Sequence, residues 1–208
     1  VRTTRDLLLM TTLDNVRSRL YEYRYTGEAW TKQEVELPGL GAAGVGATSD
    51  EHDTYFVSYT DFLTPSSLFI KRPGEELAQV KSTPEFFDST GMQVEQYEAR
   101  SADGTMIPYF AVMPAGFTAD GRNPTLLYGY GGFEVSMRPS YAAAAGKAWV
   151  ERGGVYVVAN IRGGGEFGPR WHQAALKENR QRAFDDFIAI AEDLVDRGVT
   201  SPEHLGIA

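Results

Sequence analysis

The sequence predicts a mixed fold, in which an all-β half is followed by an α/β half and the change falls near residue 85. Up to about Lys81, short β-like runs alternate with turn-forming residues, and no helical period appears. After Thr125, strand-like runs alternate with helix-compatible stretches. The chain has 208 residues and 42% hydrophobic content, which is enough for one large core or two modest ones.

Residues 1–84 are predicted to form short antiparallel strands. Turn formers such as Thr26-Gly27 separate the runs. Within one run, Tyr21, Tyr23 and Tyr25 alternate with residues of other types, as expected for a strand with two unlike faces. The spacing suits the four-stranded blades of a β-propeller, and about two blades would fit. The predicted strands are Leu7–Leu13, Arg17–Tyr25, Trp30–Leu37, Thr54–Tyr59 and Ser67–Arg72.

Residues 85–208 are predicted to form a hairpin followed by alternating strands and helices. The hairpin turns at Ser101-Ala102-Asp103-Gly104, because an Asp-Gly pair supplies positive φ at little cost. Strand Val155–Ile161 is apolar on both faces, which indicates burial between helical layers in a largely parallel sheet. A helix is predicted over Gln181–Arg197, and Gly198 stands where a left-handed cap would end it. The other predicted elements are strands Gln93–Arg100, Thr105–Met113 and Thr125–Tyr130 and a helix over Tyr141–Arg152. The apolar stripe of the last helix comprises Phe184, Phe187, Ile188, Ala191, Leu194 and Val195.

The composition argues against several classes of protein. A formal net charge of −8, a pI near 4.9 and the lack of a basic cluster argue against nucleic-acid binding. The chain has no cysteine, and His52, His172 and His204 lack ligand spacing, so neither disulfides nor a metal site is expected. Without a membrane-length apolar run or a signal peptide, we expect a cytoplasmic protein with no membrane association. Because no Met begins the chain, we expect its true termini to lie elsewhere.

The glycine-rich run Gly163–Gly168, which follows strand Val155–Ile161, allows three interpretations. It satisfies the G-x-G-x-x-G pattern of dinucleotide sites, but the acidic candidates Asp185 and Asp186 lie inside a helix instead of closing a second strand. The glycines could equally serve tight turns and close helix–sheet contact. The third interpretation is the oxyanion loop of a hydrolase, which would also explain why aromatic side chains gather where strand Thr125–Tyr130 ends.

Seven motifs follow one another along the chain. They are Thr60-Asp61-Phe62-Leu63-Thr64-Pro65, Ser101-Ala102-Asp103-Gly104-Thr105 with Pro108, Tyr128-Gly129-Tyr130-Gly131-Gly132-Phe133, Ala159-Asn160-Ile161-Arg162-Gly163-Gly164-Gly165-Glu166-Phe167-Gly168, Trp171-His172, Phe184-Asp185-Asp186-Phe187 and Thr200-Ser201-Pro202. In this order they resemble the prolyl oligopeptidase family. The resemblance implies that residues 1–84 are the last blades of a seven-bladed β-propeller. It implies that residues 85–208 are the N-terminal half of an α/β-hydrolase catalytic domain.

The resemblance also implies an activity. The family hydrolyses short peptides on the carboxyl side of proline through an acyl-enzyme, with a Ser-His-Asp triad and without a metal or organic cofactor. The run Leu205–Ala208 matches the residues that lead into the family's nucleophile elbow, so the serine is expected shortly after residue 208. The segment alone is therefore expected to be inactive. The expected partners are short proline-containing peptides, and the full-length protein is expected to be a monomer.

Two site residues are implied by the resemblance. The hydroxyl of Tyr130 would donate to the oxyanion of the tetrahedral intermediate, and the alternative is a buried tyrosine that satisfies its own hydroxyl. Phe133 matches an aromatic side chain that lines the proline pocket, and the alternative is an ordinary core phenylalanine.

The polar residues around the glycine-rich run are interpreted as structural. Arg162 and Glu166 are expected to pair across the turn, while Asp185 and Asp186 lie near a helix N-terminus, where carboxylates are favoured. His172 is expected to be a hydrogen-bonded histidine without a catalytic role, because the family's general base follows the nucleophile in the chain.

Two alternatives to a proline-specific peptidase stay open at this point. One is a related propeller peptidase or macrocyclase with another specificity, since Phe133 alone does not define the pocket. The other is a catalytically dead module that binds peptides on the same scaffold. A glycine-flanked serine within about 20 residues of position 208 would exclude the second alternative.

Overall fold

The computed structural model describes all 208 residues, which form two compact units. The first unit comprises Val1–Glu85 with Arg138–Tyr141, and the second comprises Phe86–Met137 with Ala142–Ala208. Strands are the most frequent elements in the chain. None of the helices combines the length and the apolar character that a membrane crossing requires.

The strands of the first unit form two antiparallel sheets of four strands each. They are β1 (Arg2–Thr3), β2 (Leu7–Asp14), β3 (Arg17–Tyr25), β4 (Trp30–Val35), β5 (Ala42–Val45), β6 (Tyr55–Thr60), β7 (Ser67–Lys71) and β8 (Ala78–Ser82). In each sheet the spatial order follows the chain order, so each strand pairs with the next one along the chain. The five predicted strands are confirmed, and two four-stranded meanders are consistent with propeller blades.

Three strands of the first unit, β1, β5 and β8, are missing from the sequence prediction. β5 has the sequence Ala-Ala-Gly-Val, which carries little intrinsic β preference. β8 is exposed along its whole length and therefore lacks the alternating pattern of a half-buried strand. Their conformation is decided by pairing with the neighbouring strands β2, β6 and β7. The core of this unit is formed by Leu7, Leu9, Leu20, Val35, Ala43, Tyr55, Val57, Tyr59 and Phe69.

The second unit is built on one mixed sheet of five strands. They are β9 (Gln93–Arg100), β10 (Met106–Met113), β11 (Thr125–Gly129), β12 (Val155–Ala159) and β13 (Leu205–Ile207), in the spatial order β13-β11-β12-β10-β9. β11 runs parallel to both β12 and β13. β10 runs antiparallel to β12 and to β9. The predicted hairpin is confirmed, and Gly104 in its turn has φ +86°.

The parallel pairing predicted around strand Val155–Ile161 is found with β11, whereas β9 and β10, predicted as a hairpin, join the same sheet in antiparallel pairing. β10 is an almost continuously buried strand, and all residues from Ile107 to Met113 are buried. A long apolar run is typical of parallel strands, but it arises in any strand that is covered on both faces. Strand direction is here decided by the tight Asp103-Gly104 turn and not by the apolar run.

The helices of the second unit follow its strands. They are α1 (Ala143–Ala148), a 3₁₀ turn at Val150–Arg152, α2 (Pro169–Gln173), a 3₁₀ turn at Lys177–Asn179 and α3 (Gln181–Asp196). The long helix is confirmed as α3, and Gly198 has the left-handed φ of +68° that closes a helix. The helix predicted over Tyr141–Arg152 is shorter and ends as a 3₁₀ turn, closed by Gly153 in a left-handed conformation.

The buried face of α3 differs from the predicted stripe. Ala183, Asp186, Ile190 and Leu194 are buried, together with Ala189, whereas Phe184 and Ile188 are more than half exposed. The observed buried face is rotated by about one residue around the helix axis from the predicted stripe. Because the buried face includes the polar residue Asp186, the spacing of apolar residues does not identify it. Asp186 lies on the buried face because it forms an ion pair with Arg162 there.

Candidate active site

Two glycine-rich turns meet at the carboxyl ends of the neighbouring parallel strands β11 and β12. Gly129, the last residue of β11, is in register with Ala159 at the end of β12. A Cβ atom on Gly163 would lie 2.3 Å from the carbonyl oxygen of Gly131, and one on Gly131 would lie 2.6 Å from Ile161. Glycine is required at these positions because any side chain would push the two turns apart. Close contact between the two turns therefore accounts for glycine at positions 131 and 163.

The turn after β11 holds non-glycine residues in a strained conformation. Phe133 has φ +52° and Glu134 has φ +58°, two consecutive left-handed residues that carry side chains. Each costs about 1–2 kcal/mol relative to a right-handed backbone. Strain of this kind persists only where surrounding contacts hold it and is concentrated at functional sites. We refer to residues 130–137 as the aromatic loop.

Two side chains from the segment before α3 contact the backbone of the aromatic loop. Arg180 donates from Nη1 to the carbonyl oxygen of Gly131 at 2.5 Å. His172 lies with Nδ1 2.6 Å from the carbonyl oxygen of Gly163 and 3.1 Å from the backbone N of Glu134. One Nδ1 atom cannot both donate to the carbonyl and accept from the amide, so we assign the shorter contact, with the proton on Nδ1. His172 is thus hydrogen-bonded, as the sequence predicted.

The buried side chain of Glu166 holds the C-terminal end of the aromatic loop, at Met137. Its carboxylate accepts from the backbone N–H of Met137 at 2.8 Å, and the side chain of Asn160 donates to the carbonyl oxygen of Met137 at 2.8 Å. Glu166 is 5% exposed, and this burial raises the pKa of its carboxyl group despite the hydrogen bond from Met137. The predicted pair between Arg162 and Glu166 is therefore wrong.

Arg162, in the turn that follows β12, instead pairs with Asp186 of α3. Its guanidinium donates to both carboxylate oxygens of Asp186, at 2.6 Å and 2.9 Å, and its backbone N–H donates to the same carboxylate at 3.0 Å. Asp186 is fully buried. Hydrogen bonds from Arg162 also hold the pKa of Asp103 well below its usual range. Asp186 is structural, as predicted, but it acts through this ion pair and not through the helix terminus.

An open cleft of about 500 Å³ lies beside the aromatic loop. The ring of Tyr130 is 43% exposed and that of Phe133 is 86% exposed, so neither belongs to a packed core. Tyr128 is only partly exposed. The alternatives stated for Tyr130 and Phe133, a buried tyrosine and a core phenylalanine, therefore do not describe their environment. The lining residues are Tyr130, Gly132, Phe133, His172, Ala175, Leu176, Lys177 and Arg180.

The lining of the cleft offers hydrogen-bond donors beside apolar walls. In residues 1–208, no three His, Asp or Glu side chains gather in a way that could bind a metal ion. The hydroxyl of Tyr130 is a hydrogen-bond donor, and the walls around it are mostly apolar. Sequence reasoning missed Lys177 and Arg180, which belong to no recognised motif.

The chain matches the prolyl oligopeptidase family over residues 140–208. It is 46% identical to the uncharacterized peptidase y4nA of Sinorhizobium fredii, over 98% of this chain and 28% of that protein. It is 37% identical to the prolyl endopeptidase of Elizabethkingia miricola, over 95% of this chain and 28% of that protein. Among solved structures, a post-proline cleaving enzyme from Rickettsia typhi superposes with a TM-score of 0.80 at 39% identity, over 99% of this chain and 30% of that one.

The proteins that the chain resembles are named as peptidases and prolyl endopeptidases. The chain belongs to the prolyl oligopeptidase family, as its motifs predicted. It spans less than a third of the length of the relatives that it matches.

Proposed function

We propose that residues 1–208 are part of a serine peptidase that hydrolyses short peptides on the carboxyl side of proline. The observation that carries the proposal is the position of the Tyr130 hydroxyl in an open cleft, on a strained loop, at the carboxyl end of a parallel strand. Ligands bind preferentially at such strand ends. The family relation supplies the class of reaction.

The proposed role of Tyr130 is stabilisation of the oxyanion. Attack on the scissile carbonyl places negative charge on its oxygen, and a phenol that stays neutral at pH 7 can donate a hydrogen bond to that charge. The hydroxyl makes no hydrogen bond within the protein, so it is available to a substrate. Arg180 holds the carbonyl of the next residue, Gly131, and thereby helps to fix the direction of the ring.

The proposed role of Phe133 is to line the pocket for the proline ring. An 86% exposed phenylalanine on a strained backbone is unfavourable unless something covers it during function. The flat apolar face of the ring suits a pyrrolidine, which offers no N–H and requires no polar partner. Tyr130 and Phe133 line the same cleft, as a carbonyl and the proline that bears it would require.

The proposed domain assignment follows the family. Residues 1–84 are the last blades of a β-propeller, which is supported by two four-stranded antiparallel sheets. Residues 85–208 are the N-terminal half of an α/β-hydrolase domain, which is supported by the parallel strands β13, β11 and β12 and by α3. In this assignment the nucleophilic serine follows residue 208, and Asp and His of the triad come later. The segment then supplies a donor and a pocket wall, and no triad residue.

The proposal is tested on the full-length protein with an internally quenched peptide that contains one proline. We expect cleavage after proline, a large loss of rate when proline is replaced by alanine, and inactivation by a serine-directed phosphonate in stoichiometric amounts. A chelator should leave the rate unchanged. Binding of the peptide without cleavage, together with no labelling by the phosphonate, would instead identify a peptide-binding module.

A further inference from the structure

The cleft beside Tyr130 carries two cationic side chains that form no ion pair with a carboxylate of residues 1–208. Lys177 and Arg180 line it next to the apolar side chains of Phe133 and Leu176. Neither cation belongs to any of the twelve ion pairs in the structure. Cations without counter-charges beside an apolar wall favour an anionic ligand, because part of the water that screens them is displaced on binding.

The sequence around the cleft reverses the charge of the whole chain. The chain has a formal net charge of −8, and no basic cluster was expected in it. Residues 169–182 are a local exception, with a single acidic residue among four cations. Those residues are Glu178 and the cations Arg170, Lys177, Arg180 and Arg182. Within an acidic protein, such a segment attracts anionic groups to one place.

The two cations of the cleft are held in different ways. Arg180 donates one N–H to the carbonyl oxygen of Gly131, and its guanidinium lies 5.5 Å from the ring centre of Phe184. These contacts orient the planar fork and leave its other N–H donors for a ligand. Lys177 opens the 3₁₀ turn Lys177–Asn179 with a left-handed φ of +52° and lines the same cleft, where it adds a second positive charge.

We propose that this cleft binds a carboxylate of the peptide substrate, either an acidic side chain or the C-terminal carboxylate. The proposal rests on the peptidase function and adds a charge preference to it. A carboxylate matches the fork of Arg180, while the ammonium group of Lys177 adds a second favourable charge. The apolar walls, with Phe133 and Leu176, accommodate the carbon chain that carries the carboxylate. A peptide with a neutral group in the same place loses both interactions.

The test uses the full-length protein and internally quenched peptides with one fixed proline. Glu or Gln is placed in turn at each of the two positions before the proline and at each of the three positions after the scissile bond, and each peptide is made as a free acid and as a C-terminal amide. We expect the Glu peptide at one position to exceed its Gln counterpart about fivefold in kcat/KM, or the free acids to exceed the amides by a similar factor. The first result identifies a side-chain carboxylate and the second a C-terminal carboxylate. Raising the salt concentration to about 0.5 M should reduce the advantage.

Variants of Lys177 connect the preference to the cleft. Lys177→Gln should lower the acid-to-neutral ratio of kcat/KM, and Lys177→Glu should invert it. Arg170→Gln is the matched control, because it removes the same charge from an exposed position of the same segment outside the cleft. A wild-type protein that cleaves neutral and acidic peptides equally at every position would overturn the proposal, as would an equal change in the ratio for Arg170→Gln. If no peptide is cleaved, the peptidase function fails separately, and the affinities of the same Glu and Gln peptides, measured by fluorescence anisotropy, decide the charge preference.

Discussion

Replacing Tyr130 by phenylalanine in the full-length protein removes one oxygen atom from the proposed oxyanion site. The hydroxyl has no hydrogen-bond partner within the protein, and the ring is 43% exposed, so no packing or internal hydrogen bond is lost. We therefore expect the free energy of unfolding to change by less than about 0.5 kcal/mol. The catalytic effect is larger, because one oxyanion donor contributes about 3 kcal/mol to the transition state, which corresponds to about a 10²-fold lower kcat.

The assay is steady-state cleavage of a proline-containing fluorogenic peptide, with circular dichroism to confirm that the variant is folded. KM should change little, since the oxyanion exists only in the transition state. Tyr128→Phe is the matched control, because it removes the same atom two residues earlier, in β11, without touching the cleft. Equal kcat values for wild type and Tyr130→Phe would refute the oxyanion role, and an equal loss in Tyr128→Phe would indicate a general effect on the strand.

Three further changes test the structure that supports the site, each in the full-length protein. Asp186→Asn leaves a buried guanidinium without its charge partner and should lower the free energy of unfolding by about 3–5 kcal/mol in urea titrations, whereas Asp103→Asn, at a half-exposed position, should cost less than about 1 kcal/mol. Gly163→Ala places a Cβ 2.3 Å from a carbonyl oxygen at φ +99° and should lower both stability and kcat, while Gly74→Ala, with φ +76° but open space around it, should cost only about 1 kcal/mol and leave kcat unchanged. Because burial raises the pKa of Glu166, the native state binds its proton more tightly than the unfolded state, so this group's contribution to stability is lost as pH rises through the native pKa. Glu166→Gln lacks that loss, and the difference in Tm, variant minus wild type, should rise from about pH 4 to pH 8; a difference independent of pH would contradict the assignment.

The residues around the site show why some contacts could be predicted and others could not. Tyr130 and Phe133 were recognised from a local motif, because glycines and aromatic residues in a fixed order determine a turn at the end of a strand. Arg162 was expected to pair with Glu166, four residues away, since sequence distance was the only guide to pairing. Its partner Asp186 lies 24 positions further along the chain and meets it only because the folded chain places α3 beside the turn that follows β12.

The free-energy cost of burying an unpaired charge explains why Arg162 pairs with Asp186. A fully buried guanidinium requires a carboxylate in direct contact, and the helix supplies one at the same depth. Glu166 is then free to accept the backbone N–H of the aromatic loop, a role that no pattern of charges in the sequence indicates. Arg180 is a similar case, since its contact with Gly131 depends on where the chain before α3 passes over the loop.

The sequence by itself determined the β-rich first half, the hairpin around Asp103-Gly104, the helix before Gly198 and the family, because each depends on local pattern, turn chemistry or motif order. Only the tertiary structure decided the antiparallel pairing of β10 with β12, the buried face of α3 and the partners of Arg162 and Glu166. These depend on which surfaces meet when the chain packs, and burial makes the choice of a polar partner compulsory at positions that are far apart in the sequence.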